Sequence, residues 1–289
     1  MQEPDESRWP NHHLSRFVNA GGMRWHVQQT GSGPLLLLIH GTGASMHSWR
    51  DLIPILARDF TVLAADLPGH AFTDSVSSAD SSIDGMSILL GRLLTELQYH
   101  PEYCVGHSAG AVILCRMALA GLIAPRVIVS INGAFMALRG IAGLLLSLSA
   151  KMMASNSLIP RLLARRAADP SKVARVLAGT GSRVDSAGVE LYARLVSRPR
   201  HMMGTLRMMS NWNLPAFERE LPRLATPLVL MVAEGDRTVP PQQARTIGER
   251  LGCASIVSLP GLGHLAHEEA PQMVAAEIAR ICHSYAGSA

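Results

Sequence analysis

At 289 residues, 48% of them hydrophobic and 17% charged, the chain has apolar side chains enough for a sizeable core, which excludes a disordered polymer. The formal charge is only +4, and the sequence holds no aromatic stacking motif or recognition-helix signature, so nucleic acid is not an expected partner. Four widely spaced cysteines, Cys104, Cys115, Cys253 and Cys282, form no C-x-x-C pair and suggest neither a zinc site nor a redox motif.

The first ten residues are acidic and polar and lack the basic and apolar regions of a secretory signal. Residues 23–31 alternate and read as an early strand. Residues 34–41 form a continuous apolar run closed by glycine, the pattern of a strand buried on both faces. Residues 60–69 and 102–107 repeat that form. Residues 109–121 read as a helix ending at Gly121, and 126–134 as another strand. After a long interval come a strand at 227–236, a helix near 241–251, a strand at 254–261 and a last helix over 267–284. Strand and helix in alternation predict an α/β protein with a mostly parallel sheet and helices on both faces.

One interval breaks this rhythm. From Ala134 to Pro215 the sequence is helix-like and carries twelve Lys or Arg against three Asp or Glu, so the remainder is near −5. The expected organisation is a core in two parts, 1–133 and 216–289, with a helical lid insertion over 134–215. Within it, 141–160 is the most hydrophobic window, but Ser147, Ser149, Lys151, Ser155 and Asn156 interrupt it. It reads as an amphipathic or buried helix. The expected location is cytoplasmic, with contact between the lid and a membrane surface left open.

Three strand ends carry chemistry. "GHSAG" (106–110) is a G-x-S-x-G elbow between a buried strand and a helix, which holds Ser108 at the carboxyl edge of the sheet. "HGTGAS" (40–45) ends another buried strand. A tetrahedral oxyanion needs two fixed donors, and the candidates are the backbone N–H groups of Thr42 and Ala109. His264, in a Gly-rich loop before the last helix, is the candidate base, with His267 as its rival. Asp236, at the end of the strand before, is the candidate acid that fixes the imidazole. Asp66 precedes the serine in the chain and reads as structural. The order Ser108, Asp236, His264 is the one this arrangement requires. A serine nucleophile argues against dehalogenase-type chemistry, in which an aspartate attacks.

On these residues the chain resembles the α/β-hydrolases over about residues 16 to 285. More narrowly, it resembles the magnesium chelatase accessory proteins of bacteriochlorophyll biosynthesis, the BchO type. The resemblance rests on 9–11, 23–31, 40–57, 106–134, 165–170, 179–185 and 259–269. It implies an eight-stranded, mostly parallel sheet and a role near magnesium insertion into protoporphyrin in a phototroph, with a magnesium chelatase subunit as an implied partner. The sequence departs from its relatives in the loop 66–74, where Ala71 stands at a position commonly glycine and Thr73 at one frequently serine. If that position requires a positive φ, Ala71 costs about 1 kcal/mol.

The function expected is ester hydrolysis by a Ser108–Asp236–His264 triad, on a small-molecule substrate such as a tetrapyrrole or its ester. The alternatives are a porphyrin-binding or delivery protein with an idle triad, and a general carboxylesterase. Perhydrolysis and lyase chemistry use the same constellation. Met152, Met153, Arg139, Arg207 and Trp212 are the substrate-binding candidates: methionines suit a large flat ligand, and arginines can meet propionate carboxylates. For any single one of these residues, core filling by the methionines and solvation of the arginines is the reading that comes first. No cofactor and no metal are expected.

Overall fold

The structure is a computed structural model that describes residues 8–137, 159, 162, 164 and 169–287. Its strands are β1 (Ser15–Ala20), β2 (Met23–Thr30), β3 (Leu35–Ile39), β4 (Thr61–Ala65), β5 (Tyr103–His107), β6 (Val127–Ile131), β7 (Leu228–Ala233) and β8 (Ala254–Leu259). They form one sheet in the order β1-β2-β4-β3-β5-β6-β7-β8. β1 and β2 form an antiparallel pair and β2 joins β4 antiparallel; every other pairing is parallel.

The apolar runs explain the central strands. Every residue of β5 and β6 is buried, as a strand covered on both faces requires. Helices α1 (Leu52–Leu56), α2 (Ile83–Leu97) and α3 (Ala109–Leu119) connect the first parallel strands. Ser82 caps α2 by accepting the N–H of Gly85, and Ile83, Met86, Leu90, Leu93 and Leu94 form its buried stripe. Two apolar clusters result. One joins α2 and α3 to β2, β3 and β5; the other joins Trp49, α1 and the C-terminal helix to β4, β6 and the alternate residues of β3 and β5.

A helical insertion separates β6 from β7. Its described helices are α4 (Pro170–Gly179), α5 (Ser186–Val196), α6 (Pro199–Asn211) and α7 (Leu214–Glu220). The chain then adds β7, α8 (Pro241–Arg250), β8, α9 (Ala266–Glu269) and α10 (Pro271–Ser284). The single last helix expected over 267–284 is thus two, divided at Ala270 by Pro271, which lacks the N–H an uninterrupted helix would use there. β1 is an addition to the strands read from sequence. Only one of its six residues is fully buried, which leaves little apolar pattern to read.

Cys104, Cys115 and Cys282 are buried and Cys253 is half-buried, all as free thiols. Among the described residues no helix is long and apolar enough to cross a membrane. Apart from residue 159, the 141–160 window lies outside the described residues, as do Met152, Met153 and Arg139.

Candidate active site

Parallel register sets the site. Ile39 pairs with Gly106, Gly106 with Ser130, Ile131 with Met231 and Ala233 with Leu259. The residues that follow β3, β5, β6, β7 and β8 therefore emerge along one edge, and His40, Ser108, Asn132, Asp236 and His264 all belong to those exits.

Ser108 sits in the turn between β5 and α3 at φ 50 and ψ −114. A non-glycine residue holds such angles at a cost of about 1–3 kcal/mol, and the surroundings must impose them. They do: the Ser108 N–H donates to the carbonyl of Ile131, and its own carbonyl accepts from Ala111 and Ala134. The flanking glycines are needed for space. A Cβ on Gly106 would lie 2.4 Å from the nitrogen of Ala111, and one on Gly110 would lie 2.1 Å from the carbonyl oxygen of Ile39. The start of α3 thus packs backbone to backbone on the end of β3, with the serine half-buried between them.

His264 Nδ1 lies 2.7 Å from Asp236 Oδ2, and the Asp236 side chain is only 1% exposed. The other carboxylate oxygen, Oδ1, accepts the N–H groups of Thr238 (2.7 Å) and Val239 (2.9 Å). Asp236 therefore accepts a hydrogen bond from Nδ1–H, which keeps the proton on Nδ1 and leaves Nε2 as the imidazole's basic atom. The loop of His264 is tied to the serine's strand: His107 Nε2 donates to the carbonyl of His264 at 3.0 Å. Asn132, at φ 49, donates from Nδ2 to the carbonyls of Gly263 and His264 while its Oδ1 accepts the Ala233 N–H. One amide thus fastens the histidine loop to the end of β7. The hydroxyl of Ser108 makes no hydrogen bond to a described residue, His264 included. In unliganded enzymes that bond is commonly long and tightens in the complex.

The insertion braces the same loops. The Thr180 carbonyl accepts from both Arg237 and His264, and Ser182 Oγ accepts the Leu265 N–H at 2.8 Å. A Cβ on Gly181 would lie 2.0 Å from the Gly235 carbonyl oxygen, and one on Gly263 would meet the backbone of Gly181 at 2.3 Å. No side chain fits at Gly181 or Gly263, where the insertion meets the loops of Asp236 and His264.

Thr42 lies in a turn closed by the Ala44 N–H on the Gly41 carbonyl, with Gly43 at φ 75 as its third residue. His40 donates from Nδ1 to the Gly41 carbonyl and accepts the Leu67 N–H at Nε2. The N–H groups of Thr42 and Ala109 donate to no described residue.

The remaining candidates are engaged elsewhere. Arg207 donates to the carbonyl of Val76 at 2.8 Å, and Trp212 packs against the core cluster of α2 and α3. His267 lies buried in α9 between His107 and Trp49, and burial lowers its pKa to about 3. Asp66 ties the β2 residue His26 (2.7 Å) to the Met46 N–H (2.8 Å); burial pushes its pKa up, but these contacts outweigh that and hold it below the usual value. Sequence reasoning missed Asn132, Thr180, Ser182 and His201. For Asn132 a signal existed, an asparagine before glycine at a strand end, where positive φ is tolerated.

Ala71 does adopt the positive φ its position demanded, at 43°. Ala71→Gly is expected to stabilise the protein by about 1 kcal/mol and to raise its melting temperature by about 2–4 °C. A thermal melt checks this, and a lower melting temperature contradicts it.

Comparison with known proteins agrees with this fold. The pattern described as "Alpha/beta hydrolase family" matches residues 36–277. A magnesium-chelatase 30 kDa subunit of Rhodobacter capsulatus is 36% identical over 266 residues, covering 91% of this chain and 93% of its own. Among solved structures, an alpha/beta hydrolase fold protein from Burkholderia ambifaria is similar with a TM-score of 0.77 at 23% identity, covering 92% of this chain and 97% of that one. A serine hydrolase involved in carbazole degradation has a TM-score of 0.75 at 20% identity, with 94% and 98% covered. The chain is a member of the alpha/beta hydrolase family.

Proposed function

We propose that the protein is a serine esterase in which Ser108 attacks an ester carbonyl. His264 Nε2 takes the hydroxyl proton as the Oγ–carbon bond forms, and the N–H groups of Thr42 and Ala109 receive the oxyanion. The intermediate collapses by breaking the carbon–oxygen bond to the leaving group, which departs as an alcohol with the proton from His264. Water then attacks the acyl-enzyme, His264 again takes the proton, and Ser108 is restored with release of the acid. Asp236 keeps the imidazole in the tautomer both steps need. The observation that carries this reading is the buried Asp236–His264 pair, whose loop is fastened to the strand that presents a strained Ser108.

For the substrate class, we propose an ester of a tetrapyrrole, with the 134–215 segment as the lid that walls its pocket. The similarity to the magnesium-chelatase 30 kDa subunit over nearly the whole chain supports that placement and a chelatase-type partner. The same similarity favours a second reading, a porphyrin carrier or chelatase assistant with an idle triad.

Two assays separate the readings. Purified protein is expected to hydrolyse p-nitrophenyl butyrate, and Ser108→Ala to abolish turnover. Titrated with protoporphyrin, wild type and Ser108→Ala should both shift the pigment's absorption band. Pigment binding without turnover supports the carrier, and turnover without binding supports a general carboxylesterase.

A further inference from the structure

The insertion helix α6 lies against the loops that follow β3 and β4 along one stripe: His201, Gly204, Thr205 and Met208. At Gly204 the approach is closest, since a Cβ there would lie 2.1 Å from the Gly69 carbonyl oxygen. A Cβ on Gly43 would meet Thr205 Cγ2 at 3.4 Å, and Thr42 Oγ1 donates to Met208 Sδ at 3.5 Å. Positions 201, 204, 205 and 208 recur at helical spacing, so one face of α6 meets Thr42 and Gly43 of the turn.

His201 is buried in this contact and uses both ring nitrogens. Nδ1 accepts the Ala71 N–H at 3.2 Å, so the proton is on Nε2, which donates to the Gly43 carbonyl at 3.1 Å. Burial pushes its pKa well below the ordinary histidine value, as this neutral form requires. The Gly43 N–H faces His70 Nε2 at 3.4 Å. The carbonyl of Gly41, on the other side of Thr42, is held by His40. The two residues flanking Thr42 are therefore fixed by imidazoles, and only His201 comes from the insertion. The same ring holds Ala71 in its strained conformation.

We infer, on the serine-esterase reading above, that His201 is a positioning residue for the oxyanion donor. By fixing the Gly43 carbonyl it orients the peptide that carries the Ala44 N–H; that N–H donates to the Gly41 carbonyl, which shares its peptide plane with the Thr42 N–H and so sets its direction. The insertion thereby contributes to transition-state stabilisation as well as to the pocket wall.

The two ring nitrogens can be tested separately. In His201→Gln the side-chain amide nitrogen reaches the place of Nε2 and can donate to Gly43. In His201→Asn the amide oxygen takes the place of Nδ1 and can accept from Ala71, while the Gly43 contact is lost. With p-nitrophenyl acetate, kcat of His201→Asn is expected to fall about 10-fold or more with little change in KM, and His201→Gln to stay within about 3-fold of wild type. Melting temperatures of both variants are measured alongside. Equal kcat for the two variants, or losses that track melting temperature alone, overturns the positioning role. A wild-type protein that fails to turn over the ester, and is not labelled at Ser108 by a fluorophosphonate, overturns the esterase reading and this inference with it.

Discussion

Asp236→Asn is expected to lower kcat for ester hydrolysis by about 10⁴-fold while leaving the fold intact. The reason is the full occupancy of the carboxylate. Oδ1 accepts two backbone N–H groups, from Thr238 and Val239, and Oδ2 accepts His264 Nδ1–H. An asparagine keeps its one oxygen on the two backbone donors, because turning its NH2 toward them would set donor against donor. The NH2 then faces His264 Nδ1, which must become an acceptor. The ring proton moves to Nε2, the atom that has to receive the serine proton. Side-chain volume and backbone contacts barely change, so the melting temperature should stay within a few degrees. Steady-state kinetics and a melt on the same preparation check this. A loss of less than 10-fold would mean that His264 does not depend on Asp236 for its tautomer.

Acid is expected to unfold the protein near pH 5, above the range in which ordinary carboxylates titrate. His40, His47, His70, His107, His201 and His267 are buried, and burial pushes the pKa of each down, to about 3 for His70 and His267. In the unfolded chain all six titrate near 6.5. Between the folded and unfolded values the unfolded state binds more protons, so stability falls as pH drops below about 6.5. His70 and His267 each contribute a loss of about 2 kcal/mol at pH 5, and the other four act in the same direction. Domains are stable by only about 5–15 kcal/mol. Glu268, whose pKa burial raises to about 7, acts in the opposite direction over the same range but is outnumbered by the six histidines, and Asp66, held below its ordinary value, adds a loss only at still lower pH. Denaturant unfolding followed by circular dichroism from pH 7.5 to 4.5 should show a slope of several protons per molecule. A flat profile to pH 4.5 would contradict the neutral state assigned to these histidines.

These histidines also mark where the sequence stops being legible. The central strands can be read because β3, β5 and β6 are covered on both faces and have nearly continuous apolar runs. Ser108 can be read because its turn needs glycines at 106 and 110 between a strand and a helix. Asp236 and His264 follow from their places after β7 and β8. His201 offers no such pattern. It is one polar residue on an insertion helix, and its role exists only because Gly204, one turn later, lets that helix touch Gly69. Thr180 acts through a backbone carbonyl, which no side-chain pattern encodes. His201 lies 158 and 130 residues from its partners Gly43 and Ala71, and Thr180 meets Arg237 and His264 from another element, so local spacing carries no information about either.

The central claim is that Ser108 is a nucleophile made reactive by His264. Intact-mass and peptide analysis after treatment with a fluorophosphonate tests it most directly. One adduct per chain is predicted, on the peptide containing Ser108, absent from Ser108→Ala and strongly slowed in His264→Ala. No adduct on the folded protein, or an adduct on another residue, would contradict the account.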